Sequence, residues 1–221
     1  MEYQLHPSVE LRQLFASMRV PHQGQDPTKA SVLFVGLDAN YSAQISDDPV
    51  FFRRILEYHE DGVAFWHRYG VHHPFLLPEY PLPRNTGGVP YHRKFASIGL
   101  TPAFAGAISF VELLDVPTTG RTNPAAFWAL FNPEHALRLD EVFLSGARRI
   151  VLMSDGVLRF MAEARRRSGA FSWLPKQSDW GLVCRQGETA FHKVRHFSSA
   201  ISLGQLRDLS DLVRSACPGV A

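Results

Sequence analysis

The chain contains four short apolar runs, partly of β-branched residues, and each run ends abruptly in polar or turn-forming residues. Continuous apolar runs of this kind are typical of strands buried on both faces of a parallel sheet. We predict strands over residues 31–35, 106–114, 149–153 and 190–195. A further strand over residues 181–185 is expected near the edge, in a register that the sequence does not define.

Helix-like stretches lie between and around these runs, over residues 9–18, 49–58, 124–130, 137–145, 156–167 and 203–216. Strands that alternate with helices predict an α/β fold, here a three-layer α/β/α sandwich around a central, mainly parallel sheet of four or five strands. The chain has 221 residues and no internal repeat, so we expect residues 1–221 to form a single domain.

Residues 58–91 depart from this alternation, because they are unusually rich in aromatic residues, histidine and proline. We predict a long shaped loop, of the kind that forms lids and binding loops. Its four histidines, His59, His67, His72 and His73, show no HExxH or other defined metal spacing. We therefore expect them to pack or to contact a base, and we expect no metal.

The composition limits which binding partners, which cofactors and which cellular compartment we expect. The charge is nearly balanced, with 23 Lys and Arg against 21 Asp and Glu, so a nucleic-acid partner requires a local basic face. Cys184 and Cys217 are too few for a four-thiolate iron–sulfur cluster and lack zinc spacing, so we expect reduced thiols and no cofactor. Without an apolar run of membrane-span length or a signal-peptide pattern, we expect a cytoplasmic protein with no membrane partner.

Polar residues follow each of the four predicted strands. Ligands of parallel α/β sheets bind at the carboxyl ends of the strands, which gathers these residues along one rim. Asp38 could hold a water or stabilise positive charge on a sugar, although capping of the next helix is the alternative. His196 could donate a hydrogen bond to a leaving base, although a structural role is the alternative.

The motifs form an ordered set. Gly36-Leu37-Asp38-Ala39-Asn40 follows the first strand, Ala64-Phe65-Trp66 lies in the aromatic segment, Ile108-Ser109-Phe110-Val111-Glu112 forms the second strand, and His196-Phe197-Ser198 follows the last strand. Together they resemble the motifs of the uracil-DNA glycosylase superfamily, nearest to its mismatch-specific, thymine-DNA glycosylase-like branch. The resemblance spans roughly residues 30 to 215.

This resemblance implies roles for individual residues. Asp38 matches the aspartate that positions water and stabilises an oxocarbenium-like sugar, and His196 matches the residue that supports the departing base anion. Ser198 matches a serine that contacts a phosphate. Such enzymes flip the nucleotide out of the stack, and Phe65, or else Phe110, is expected to provide the stacking platform for the base.

The chain also departs from the family pattern. Asn40 stands where uracil-specific members have a tyrosine that excludes a 5-substituent, which implies a larger pocket around the 5-position. Glu112 could accept a hydrogen bond from a cytosine-type amino group in the base-recognition strand. Ala200 replaces the wedge leucine, so Leu203 or the long loop is expected to fill the gap left by the flipped base.

Together these observations predict a function. We expect a monomeric, cofactor-free, monofunctional DNA glycosylase that flips out an abnormal or 5-modified pyrimidine, uracil or a bulky modified cytosine, and leaves an abasic site. DNA contacts are assigned to Arg121, Lys193, Arg195, Ser198 and Ser199. The setting would be DNA repair or antiviral defence against hypermodified DNA. A catalytically silent nucleic-acid-binding module and a nucleoside or glycoside hydrolase remain as alternatives.

Overall fold

The structure is a computed structural model that describes residues 2–85, 87–145 and 149–220. It is mixed α/β, with a mostly parallel central sheet flanked by helices, as the sequence predicts. None of the helices within the described ranges combines the length and the apolar character needed to cross a membrane.

The central sheet has six strands: β2 (His22–Gly24), β3 (Val32–Gly36), β4 (Ile108–Glu112), β6 (Arg149–Met153), β7 (Gly181–Gln186) and β8 (Thr189–Lys193). Their order across the sheet is β2-β4-β3-β6-β8-β7. The inner four are parallel to one another, and β2 and β7 are antiparallel edge strands. A separate two-stranded ribbon pairs β1 (Gln4–Leu5) with β5 (Thr118–Thr119). The prediction of four or five strands missed β2, which is too short and too polar to stand out as an apolar run.

Eight α-helices surround the sheet in the described residues: α1 (Val9–Ser17), α2 (Pro49–Glu60), α3 (Gly62–Tyr69), α4 (Val89–Ala96), α5 (Pro124–Leu130), α6 (Pro133–Phe143), α7 (Asp155–Ser168) and α8 (Leu203–Ala216). Short 3-10 helices cover Ala43–Asp47, Pro74–Leu76 and Pro102–Ala107. All six predicted helices are present, with the predicted ends for α5 and α8 and shifted ends for the other four. The α6 helix begins four residues earlier than residue 137, because Asn132 caps it and Pro133 occupies its first turn.

The prediction of an irregular loop over residues 58–91 was wrong for much of that segment. It contains α3, where the Asp61 side chain accepts a hydrogen bond from the Ala64 amide and Gly70 ends the helix with a φ of 69°. Phe65 and Trp66 of this helix are buried. Mixed histidine and aromatic residues obscured the helical period in the sequence, while burial of the aromatic rings stabilises the helix in the fold.

The two faces of the sheet belong to different hydrophobic clusters, because side chains alternate along each strand. On one face, Val32, Phe34 and Phe110 pack with residues of α3, α4 and α8. On the other face, Leu33, Val35 and their neighbours pack with residues of α5, α6 and α7. A third cluster joins α1 and α2 to the loop that follows β3.

Candidate active site

A cavity of about 640 Å³ opens where the parallel strands end, and we call it the rim cavity. The ends of β3, β4 and β6, the turn after β8, and the start of α4 all contribute to its lining. It brings together the predicted residues Asp38, Asn40, Phe110, Glu112, Arg121, His196 and Ser198. The rule that ligands bind at the carboxyl ends of parallel strands therefore predicts the location of most of these side chains.

Asp38 lies in the loop after β3, and three donors converge on its Oδ2 atom. The Tyr3 hydroxyl donates at 2.9 Å, the Asn40 Nδ2 donates at 3.2 Å, and the Thr118 hydroxyl donates as well. Helix capping does not explain this aspartate, since Ser42 caps the 3-10 helix that follows. The carboxylate is thus held in a fixed orientation on the wall of the rim cavity.

Asn40 connects two segments of the cavity wall. Its Nδ2 also donates to the Thr118 hydroxyl and to the Gly120 carbonyl, both at 3.0 Å. The backbones on either side are joined too, because the Tyr41 amide donates to the Thr118 carbonyl at 2.9 Å. The amide nitrogen of Asn40 therefore positions Asp38, although Asn40 was expected to contact the base.

His196 lies in the turn after β8. Its Nδ1 accepts a hydrogen bond from the Ser198 backbone amide at 3.2 Å, so the proton of the neutral ring is on Nε2. Partial burial lowers the pKa of His196, which favours this neutral form. The Tyr91 ring packs beside it, with centroids 5.2 Å apart. His196 is thus an uncharged donor on the wall of the rim cavity.

Glu112 is the last residue of β4 and also lines the rim cavity. Its Oε2 atom is buried and has no hydrogen-bond partner among the described residues. Burial raises the pKa of Glu112 well above its usual range, and the negative charge of Asp38 raises it further. Both effects favour the protonated, uncharged form of the Glu112 carboxyl group.

Two stacked phenylalanines contribute to the lining of the cavity. The rings of Phe34 and Phe110 lie 5.3 Å apart with an interplanar angle of 22°. Phe65, expected as the stacking platform, does not line the cavity: it is 1% exposed and packs between Tyr58 and Tyr69. The helical geometry of α3 directs Phe65 toward α2, which the loop interpretation could not anticipate.

The predicted DNA contacts separate into two groups. Arg121 and Ser198 are exposed and line the rim cavity. Lys193 instead pairs with Asp155 at 2.8 Å, and the guanidinium of Arg195 lies 4.5 Å from the centre of the Trp180 ring.

Ser199 does not line the cavity either, because its hydroxyl donates to the His196 carbonyl at 2.6 Å. Lys193, Arg195 and Ser199 therefore hold the turn after β8 and its surroundings in place. Only Arg121 and Ser198 of this group reach the cavity wall among the described residues.

Several residues of the site had no signal in the sequence. Tyr3 and Thr118 meet at Asp38 because β1 pairs with β5, a contact over more than a hundred residues. Tyr91 and His92 reach the cavity because α4 packs over the sheet. Long-range pairing of short polar segments leaves no periodic pattern from which these contacts could be predicted.

Three histidines pack together beside the cavity, and two of them, His73 and His92, contribute to its lining. The rings of His73 and His92 stack 3.6 Å apart, and His72 Nε2 lies 3.1 Å from His92 Nδ1. Burial lowers the pKa of His92 to about 3 and that of His72 and His73 well below the usual range. No group of three or more metal-ligating side chains is arranged to hold a metal in the part of the chain that the structure describes.

No protein-family model matches this chain, and no curated protein matches it in sequence. The geometry of the rim cavity and the chemistry of its side chains are therefore what indicates a function.

Proposed function

We propose that this protein is a DNA glycosylase of the uracil-DNA glycosylase type, which flips an abnormal or 5-modified pyrimidine out of DNA and hydrolyses its N-glycosidic bond. One observation carries the proposal: Asp38 and His196 line the same cavity from the ends of β3 and β8. These strands are separated by β6, so their ends lie about 10 Å apart at ~4.8 Å per strand spacing. That distance leaves room for a nucleoside between the two side chains.

The two side chains have complementary chemistry for this reaction. As the bond between C1′ and the base nitrogen breaks, its electron pair leaves with the base and positive charge develops on the sugar. The Asp38 carboxylate stabilises that charge and orients the water that adds to C1′. The Nε2–H of neutral His196 donates a hydrogen bond to the base oxygen that gains negative charge.

The cavity also supports the choice of substrate. Its volume of about 640 Å³ lies in the range of small-molecule sites and exceeds the need of a bare pyrimidine ring. Asn40, in place of a bulky tyrosine, leaves space for a 5-substituent. Stacked Phe34 and Phe110 give the site an aromatic surface against which a flipped base can pack.

The proposal includes DNA as the partner, with Arg121 at the cavity mouth as the phosphate contact. It also includes a monomeric, cytoplasmic enzyme with a three-layer α/β/α arrangement, in DNA repair or in defence against phages with hypermodified cytosines. The substrate decides between these two settings, since uracil indicates repair and a bulky modified cytosine indicates defence.

An abasic-site assay tests the proposal. Purified wild-type protein, Asp38→Asn and the matched control Asp208→Asn, on the exposed face of α8, would be incubated with duplexes that carry uracil, 5-hydroxymethylcytosine or its glucosylated form. We expect the wild type and the control to form abasic sites in at least one modified duplex. Asp38→Asn should lower the rate about 100-fold or more while DNA affinity stays within a few fold.

Two results would redirect the assignment. Binding of every duplex without abasic sites would favour a catalytically silent nucleic-acid-binding module. Release of bases from free nucleosides, with no salt-sensitive binding to DNA, would favour a nucleoside hydrolase.

A further inference from the structure

The rim cavity has an aromatic surface and a polar wall on the same face of the sheet. Phe34 pairs with Phe110 in the register of β3 and β4, and two residues later Gly36 pairs with Glu112. Because side chains alternate along a strand, all four positions point to one face. On this face of the sheet, Glu112 is therefore the next side chain along β4 after Phe110.

Gly36 gives the Glu112 side chain the room to lie across β3. A β-carbon added at position 36 would lie 2.0 Å from Oε2 and 2.8 Å from Cδ of Glu112. The φ angle of Gly36 lies outside the left-handed region, so backbone conformation does not require glycine at this position. The absence of a side chain at position 36 is thus what admits the carboxyl group to the cavity wall.

The carboxyl group has unused hydrogen-bonding capacity. Oε2 is buried without a partner among the described residues, although a buried polar atom left unpaired costs about 1–3 kcal/mol. Other titratable groups that line the same cavity include Asp38, Tyr41, Tyr91 and His92. An unpaired carboxyl oxygen on a residue that lines a cavity indicates that a ligand in the cavity supplies the missing partner.

The protonation state determines what that ligand must offer. Burial and the nearby Asp38 charge both raise the pKa of Glu112 and so favour its protonated form, which has one O–H donor beside one carbonyl acceptor. This pair matches a ligand edge that carries an acceptor beside a donor. An ionised carboxylate would offer acceptors only, and its charge would repel a base that departs as an anion.

We propose that the Glu112 carboxyl group binds the edge of the flipped base that has a hydrogen-bond donor next to an acceptor. In uracil this edge is N3–H and O4, and in cytosine it is the N4 amino group and N3. The inference rests on the proposed function, and it names the base edge that the site selects. A base that carries a methyl group on N3 should not bind in this way. The methyl group replaces the N3–H donor, and it also occupies the space of the Glu112 carboxyl group.

Binding of free bases tests this inference without any bond cleavage. Ligand-observed NMR would compare uracil, cytosine and 3-methyluracil with the wild type, Glu112→Gln, Glu112→Ala and a control, Glu188→Gln. Glu188 is exposed in the turn that leads into β8, at the end opposite the rim. Glutamine keeps one donor and one acceptor in nearly the same shape, so it separates hydrogen bonding from ionisation.

We expect uracil or cytosine to bind to the wild type, to the control and, within about threefold, to Glu112→Gln. The affinity for Glu112→Ala should be tenfold or more lower, the equivalent of about 1.4 kcal/mol. Binding of 3-methyluracil to the wild type should be weaker than that of uracil by a similar factor. Equal affinities for wild type and Glu112→Ala, a glutamine variant as weak as alanine, equal binding of 3-methyluracil, or no base binding by the wild type would each overturn the inference.

This experiment and the abasic-site assay can fail separately. Glu112-dependent base binding without excision from any duplex would overturn the proposed function and support the base contact. Excision of a base at the same rate in wild type and Glu112→Ala would support the glycosylase and overturn the role of Glu112.

Discussion

Gly36 and Glu112 are register partners on neighbouring parallel strands, and the carboxyl group of Glu112 occupies the space where a side chain at position 36 would begin. Neither residue can be understood alone, since the glycine creates the space and the glutamate uses it. Most of the testable consequences of the site follow from such pairs of residues.

Because Glu112 occupies the space at position 36, we expect the effects of substitutions at Gly36 and Glu112 on the free energy of unfolding to be non-additive. Gly36→Ala should lower the free energy of unfolding by about 1–3 kcal/mol, because the new methyl group must displace the Glu112 carboxyl group. In a Glu112→Ala background the same substitution should cost less than about 0.5 kcal/mol. Urea denaturation of the four proteins measures the coupling, with Gly204→Ala in the first turn of α8 as the control. Equal costs in both backgrounds would contradict the packing relationship.

The buried histidines predict that the protein loses stability in mild acid. The pKa values of His59 and His92 fall to about 3 in the folded state, from an ordinary value of 6.5, because burial disfavours the charged rings. Below pH 6.5 these histidines bind protons in the unfolded chain but stay neutral in the folded chain. Their contribution to the free energy of unfolding is therefore fully present above pH 6.5 and is lost as the pH falls toward 3.

Each such group contributes a slope of about 1.4 kcal/mol per pH unit inside that window. Denaturant titrations at pH 7.5, 6.5 and 5.5 should show a decline below pH 6.5. In His59→Gln the decline should be shallower than in the wild type, whereas the exposed His67→Gln serves as the control. Identical slopes in all three proteins would show that these rings are not buried as neutral groups.

The hydrogen bond from Tyr3 to Asp38 leads us to expect that Tyr3 contributes to catalysis by orienting the Asp38 carboxylate. Its hydroxyl donates to Asp38 Oδ2 at 2.9 Å, so Tyr3→Phe should leave the carboxylate less well oriented. We expect kcat for base excision to fall about tenfold, with little change in KM or DNA affinity. The control is Tyr80→Phe, which lies in the cluster around α2. A change in KM alone, or equal effects of both substitutions, would argue against a positioning role.

The cations around the rim predict different salt dependences. Arg121 is exposed at the cavity, so Arg121→Ala should reduce the slope of log affinity against log salt concentration by about one. Lys193→Ala should change the slope less, because the Lys193 ammonium already pairs with Asp155. Fluorescence anisotropy with duplex DNA at several salt concentrations measures both slopes. A larger effect of Lys193→Ala would reverse this assignment.

The parallel core of the fold could be predicted because its strands are buried on both faces. Residues 149–153, for example, form one continuous apolar run that appears as β6. The ends of such strands then place Asp38, Glu112 and His196 along one rim by topology alone. This part of the site depends on local sequence and on one general rule.

The remaining parts depend on contacts between distant segments. The β2 strand has three residues and becomes a strand only because β4 pairs with it. The support of Asp38 by Tyr3 requires the ribbon of β1 and β5, and the burial of Phe65 requires α2 and α3 to pack together. Tertiary packing decides these features, so local propensity and periodicity do not contain them.

The most direct test of the central claim is base release from DNA under single-turnover conditions, with the free base identified by mass spectrometry. We predict that the wild type releases a uracil or 5-modified cytosine base and leaves an intact strand with an abasic site. We also predict that Asp38→Asn binds the same duplex and releases the base at least about 100-fold more slowly. Release of no base from any of these duplexes, or release at equal rates by wild type and Asp38→Asn, would contradict the account.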